Sequence, residues 1–186
     1  MNTYDFDGTL YKGDSTVDFF KFSIRTRPSL LRFLPFQLGG AFVYALGCAD
    51  KTYLKEKFFT FFHGMDAQGL VETFWDKHEK NIFPWYPPHH QEDDIILSAS
   101  PEFLLRPICR RLGIRHLIAS KVNPSTGKFD GKNCRGDEKV RRLKREMGVT
   151  HVDEFYSDSR ADTPMAKIAD RAFLIRDGVP VTWTKL

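Results

Sequence analysis

The sequence is poor in the residues that build metal–thiolate or disulfide proteins. Its three cysteines, Cys48, Cys109 and Cys134, are far apart, odd in number and without a CxxC pair. That pattern argues against a disulfide framework or a structural zinc site and suits a reducing cytoplasm. Six histidines show no metal-ligand spacing, and His89-His90 lies among prolines as a surface loop. An excess of one charge is also lacking. Lys and Arg total 28 against 24 Asp and Glu, a net +4 that leaves no nucleic-acid footprint. The acidic motif beginning at Asp5 leaves no room ahead of it for a cleaved signal peptide, so the cytoplasm is the expected location.

Long apolar runs are scarce too, with one exception. Leu30 to Gly47 approaches the lower length limit of a spanning helix but contains Arg32, Pro35, Gln37 and the Gly39-Gly40 pair. A buried or interfacial hairpin is the expected form, with its apolar residues packing neighbouring helices together.

What remains is ample for a packed core. The chain has 186 residues, 41% hydrophobic and 14% aromatic, enough for one domain or one domain with a sizeable insert. NTYDFDGTL reads as a short strand turning at Gly8. From Asp14 to about Phe83 the rhythm is helical, and it ends where Pro84, Pro87 and Pro88 cannot continue a helix. Beyond that point strand and helix alternate. DIILS is a strand buried on both faces, followed by a helix at about 101–112 that Ser100 caps. RHLIAS is a strand, KVNPSTGKFDG a hairpin, and 137–147 a helix ending at Gly148. Strand DEFYSD, helix TPMAKIAD and strand AFLIR complete the series. Repeated strand–helix units predict an α/β fold, a parallel sheet with helices on both faces. In such sheets ligands bind beyond the carboxyl ends of the strands.

Reactive residues fall at those ends. Asp5 and Asp7 are two apart in an extended segment, so both carboxylates face one side and need a cation or a shared proton. Ser98 closes the second strand, and with Ser100 used as the cap, its hydroxyl and the Ala99 amide are left to face an anion. Lys139 sits in the first turn of a helix, where the dipole disfavours a cation unless carboxylates or phosphate lie ahead of it. Asp158 and Asp162 follow the FYS strand. Hard oxygen donors without a His/Cys cluster favour magnesium.

DFDGTL, ILSAS, NCRGDEKV and YSDSRADTPM together resemble the haloacid dehalogenase superfamily of phosphohydrolases, in its phosphoserine-phosphatase-like branch. The resemblance implies a Rossmann-like three-layer core, residues 1–13 and 84–186, with a helical cap, 14–83, inserted after the first motif. It implies a magnesium-dependent phosphatase acting on a small-molecule phosphomonoester. Asp5 corresponds to the nucleophile and Asp7 to the general acid and then base. Ser98, with the amides of Phe6, Asp7 and Ala99, corresponds to the phosphoryl-binding group. Lys139 offsets charge on nucleophile and phosphate, and Asp162 orients Lys139 and a metal-bound water. Asp5, the Asp7 carbonyl and Asp158 correspond to the metal ligands. Ser157 stands where many relatives carry glycine.

Asp14 aligns with an acidic substrate contact of phosphoserine phosphatases, but a helix N-cap is the expected role. The apolar segment, with Arg25, Arg27 and Arg32 nearby, is also similar to lipid-phosphate phosphatases of the superfamily that act on phosphatidylglycerophosphate. Such a phosphatase would make peripheral contact with an anionic membrane. The alternatives are a noncatalytic binding protein on the same fold, against which the intact motif residues count, and a phosphotransferase using an alcohol in place of water, which these motifs fit as they fit a hydrolase.

Overall fold

A computed structural model describes residues 1–184 of the chain. Strand β1 (Asn2–Tyr4) is followed by four helices: α1 (Ser15–Thr26), α2 (Leu34–Ala45), α3 (Lys51–Phe58) and α4 (Ala67–His78). The alternating part then runs β2 (Ile95–Pro101), α5 (Glu102–Arg111), β3 (His116–Ser120), α6 (Asp137–Met147), β4 (Val152–Ser157), α7 (Thr163–Ala166), β5 (Ala169–Arg176) and β6 (Val179–Thr182). The sheet order is β3-β2-β1-β4-β5-β6, parallel throughout except for the antiparallel pair β5–β6. The expected α/β class is what the chain forms.

Burial on both faces of the sheet explains why its strands are apolar. Ile96 packs with Leu104, Leu105 and Ile108 of α5 on one face. Its neighbours Ile95 and Leu97 pack with Leu143 of α6 and Met165 of α7 on the other. The direction in which successive strands are added to the sheet reverses beside β1, with β2 and β3 on one side and β4 and β5 on the other. That is the switch point at which α/β sheets bind ligands.

The helices between β1 and β2 are tied to the core by aromatic rings. Trp75 of α4 is fully buried, meets Phe6 at 5.9 Å and Tyr11 at 5.6 Å edge-on, and donates its indole N–H to the Leu104 carbonyl at 2.7 Å. Phe62 reaches Phe103 at 5.4 Å in the same continuous cluster.

Four local expectations are corrected. Pro101 itself holds the cap position of α5 in extended geometry, and no side chain caps that helix. Ser100 is thereby released for another partner. The helix expected over 163–170 stops at Ala166, because β5 begins at Ala169, where it pairs with Val152. Strand pairing there overrides local helix preference. Strand β6 has no counterpart in the sequence reading, although Asp177-Gly178, both at positive φ, form the two-residue turn that an Asp-Gly pair signals. Residues 30–47 form no hairpin. A 3-10 turn (Pro28–Phe33) leads into the single helix α2, whose apolar side chains are largely exposed rather than packed between helices. No helix among the described residues is long and apolar enough to cross a membrane.

Replacing Trp75 with alanine removes the ring joining α4 to Phe6 and Tyr11 and its hydrogen bond to the Leu104 carbonyl. The expected loss is about 3–5 kcal/mol, measured by denaturant unfolding, with Trp75→Phe losing clearly less. Equal losses for the two variants would contradict the role given to the ring.

Candidate active site

The carboxyl ends of β1, β2 and β4 open into a cavity of about 450 Å³. Asp5, Asp7, Ser98, Ala99, Lys139, Asp158 and Asp162 all line it, as does Asp14. Extended geometry after β1 accounts for the first pair: the Asp5 amide continues the ladder to Tyr156 O at 2.8 Å, and Phe6, between the two aspartates, is fully buried in the core. Gly8, at φ 69°, then turns the chain, and a Cβ there would collide with the Asp158 carboxylate. The turn and the fourth motif therefore require each other.

Lys139 is the electrostatic centre of the cavity floor. It is 1% exposed, with its ammonium 2.9 Å from Asp5 Oδ1 and 2.6 Å from Asp162 Oδ2. Burial alone pulls a lysine pKa down, but the two carboxylates outweigh it and hold Lys139 above its usual range. Asp162 also accepts from the Gly136 amide at 3.1 Å and the Ser157 hydroxyl at 3.1 Å. Ser157 thus braces the ion pair.

Asp5 is raised above the usual carboxylate range by burial, against the pull of Lys139. The Phe6 amide donates to Asp5 Oδ1 at 2.8 Å, so both protein donors take Oδ1 and leave Oδ2 without a partner among the described residues. Asp158 has no ion-pair partner among the described residues, and desolvation together with the Asp5 charge pushes its carboxyl up to about 6.

Asp7 is held differently. Its Oδ1 accepts from the Ser15 amide at the start of α1, 2.7 Å away, and its Oδ2 accepts from the Ser100 hydroxyl. Thr16 lies 2.9 Å behind Ser100, completing a hydroxyl chain that ends on the carboxyl. Burial, reinforced by Asp14, pushes Asp7 up to about 7. Ser98 is buried and accepts from the Ser100 amide at 3.1 Å. Asp14 does what the helix-cap reading expects, accepting from the Val17 amide at 3.0 Å, while also lining the cavity.

Other cavity residues escaped the sequence reading, six of which matter here. Lys55 of α3 donates to Ala99 O at 2.8 Å, and burial holds its ammonium below the usual range. Leu54, Lys55 and Phe58 bring α3 into the cavity wall, a face that nothing in KTYLKEKFF distinguishes from an ordinary helix surface. Arg135 and Thr16 likewise carry no local signal. Ser100 did: it stands two residues from Ser98 in an extended strand, the relation that aligned Asp5 with Asp7.

With this arrangement established, comparison with known proteins is decisive for the family. A model of the haloacid dehalogenase-like hydrolases matches residues 3–167. The chain belongs to that family. Among relatives of the hydrolase, protein CicA of Caulobacter vibrioides is 31% identical over 193 residues, covering 95% of this chain and 86% of CicA. A protein of Bordetella pertussis Tohama I, solved without a known function, superposes with TM-score 0.74 at 21% identity, covering 94% of this chain and 88% of that one. A phosphoserine phosphohydrolase-like protein of Francisella tularensis superposes with TM-score 0.62 at 15% identity, covering 96% and 88%. These structures share the hydrolase's fold.

Replacing Lys139 with methionine leaves Asp5 and Asp162 buried without their cation. The expected cost is about 3–5 kcal/mol of folding stability near neutral pH, read by denaturant unfolding. A variant as stable as the wild type would show that the carboxylates do not depend on this ammonium.

Proposed function

We propose that this phosphatase-like hydrolase cleaves small-molecule phosphomonoesters through an aspartyl-phosphate on Asp5, with magnesium as cofactor. The observation that carries the proposal is Asp5 itself, fixed through Oδ1 by Lys139 and the Phe6 amide while Oδ2 has no partner among the described residues. A carboxylate and a phosphate dianion repel each other, so attack requires positive charge around both. Lys139 supplies part of it from the protein.

The donor set fits a hard cation. Asp158 is a carboxylate with no ion-pair partner among the described residues, crowded against Asp5, and the backbone of Gly8 makes room for it. No three His, Cys, Asp or Glu side chains among the described residues form a metal cage. Two carboxylates and a main-chain carbonyl form instead the open kind of site that magnesium completes with water and phosphate oxygens. Asp5, the Asp7 carbonyl and Asp158 would hold the ion, which when bound neutralises phosphoryl charge and orients the group.

In the first half-reaction an Asp5 carboxylate oxygen bonds to phosphorus as the ester P–O bond breaks. Asp7, raised to about 7 and steadied by Ser15 and Ser100, gives its proton to the departing alcohol oxygen. In the second half-reaction Asp7 takes a proton from water as the water oxygen bonds to phosphorus, releasing inorganic phosphate and restoring the Asp5 carboxylate. Ser98 and the Ala99 amide are assigned to the phosphoryl oxygens, and Asp162 holds Lys139 in place.

Asp5→Asn is expected to abolish turnover of p-nitrophenyl phosphate with folding intact, and chelation is expected to abolish wild-type turnover until magnesium is restored. Asp7→Asn is expected to lower the steady rate about 10²–10⁴-fold yet retain a stoichiometric burst of nitrophenolate, which departs without a proton. Near-normal turnover by Asp5→Asn would overturn the covalent route. A missing burst in Asp7→Asn would overturn the role given to Asp7.

A further inference from the structure

Helix α2 is built inside out for a helix in water. Its one strongly polar side chain, Gln37, is 8% exposed and turned inward, donating to Phe58 O at 2.9 Å. Gly40, also buried, lets Lys57 of α3 pack against the helix backbone. The apolar side chains point the other way: Phe36, Leu38, Phe42 and Leu46 are each 61–65% exposed. With Leu31 and Leu34, this stretch holds six of the nine exposed large hydrophobic residues among the described ones. Scattered exposed apolar side chains need no explanation, but a contiguous group on one helix does.

Charge along the chain leading into α2 has one sign. Between Asp18 and Asp50 the sequence contains Lys21, Arg25, Arg27 and Arg32 and not one Asp or Glu. All four are exposed, and Arg25, Arg27 and Arg32 make no ion pair among the described residues. Arg32 instead lies over the Phe33 ring at 4.9 Å, at the entrance to α2. A protein partner buried on this surface would have to match an apolar strip and the basic residues that precede it in the chain. An anionic lipid bilayer offers both, an acyl interior beneath a negative headgroup layer. Twelve residues at about 1.5 Å rise make α2 too short to span the roughly 30 Å hydrocarbon core, so it must lie in the interface.

We propose that α2 and the arginines that precede it form a docking surface for anionic phospholipid membranes, with the outward phenylalanines and leucines entering the headgroup–acyl boundary. Helix α3, which receives Gln37 and Gly40 of α2, also supplies Leu54, Lys55 and Phe58 to the cavity wall. Docking is therefore one helix away from the site. The surface is read by binding alone and stands apart from the chemistry proposed above.

The test is co-sedimentation of the full chain with vesicles of phosphatidylglycerol and phosphatidylcholine, against vesicles of phosphatidylcholine only. The wild type is expected to pellet with the anionic vesicles and to be released in about 1 M salt, where screening shortens to roughly 3 Å. Phe36→Ser/Phe42→Ser is expected to partition at least tenfold more weakly, with turnover of a soluble aryl phosphate unchanged. Arg27→Glu/Arg32→Glu is expected to lose binding by a similar factor, since each basic group contributes about fivefold. Absence of vesicle binding, equal binding to neutral vesicles, or undiminished binding by the phenylalanine variant each overturns the proposal. So does a wild-type dimer in sedimentation velocity that the phenylalanine variant dissolves without any vesicle binding, because a second copy would then be the occupant.

Discussion

Carboxylates gathered at the end of a buried sheet repel one another, and a protein that needs them there must supply a counter-charge from elsewhere in the chain. Here that charge is Lys139, inaccessible to water and shared by Asp5 and Asp162. Its position fixes much else. α6 must begin against the sheet ends to deliver an ammonium from its first turn, an unfavourable place for a cation that the two acids make favourable. The Gly136 amide, just before that helix, bonds to the same Asp162, so the acid positions both the helix start and the lysine.

Around this ion pair the remaining acids hold distinct environments. Asp7 rests on an amide and a hydroxyl and lies near 7, poised to hold or release a proton. Asp158 has no ion-pair partner among the described residues, and burial beside Asp5 keeps its proton affinity raised. Chemically similar groups acquire different capacities because their neighbours differ, as the proposed division into nucleophile, proton donor and cation ligand requires.

The helices inserted after β1 contribute twice. Their inward side closes the cavity with Lys55, Leu54 and Phe58 and locks onto the core through Trp75. Their outward side carries the unpartnered apolar face of α2. An inserted unit with an aromatic interior is thereby free to present a second apolar surface without losing its attachment.

Much of the candidate site was legible in the residues alone. The i, i+2 rule aligned Asp5 with Asp7, strand-end placement brought in Ser98 and Asp158, and an awkward cation in a first turn marked Lys139. Each of these rests on a local pattern whose geometry is nearly context-independent. The Asp177-Gly178 hairpin was equally legible and was passed over. What local pattern could not reveal was which partner each group would choose. Ser100 had a plausible cap to make at α5, and only the approach of α1 decided that it bonds Asp7 instead. Lys55 looked like any helix-surface lysine until α3 folded over the strand ends. The apolar run 30–47 announced hydrophobicity but not direction, because whether a helix face is covered depends on the neighbours that arrive. The amino-acid sequence by itself determined the sheet class and the acids at its strand ends, since backbone periodicity and turn chemistry act over a few residues. Tertiary structure alone decided the hydroxyl relay on Asp7, the lysine from the inserted helices and the outward turn of α2, since those depend on contacts between segments distant in the chain.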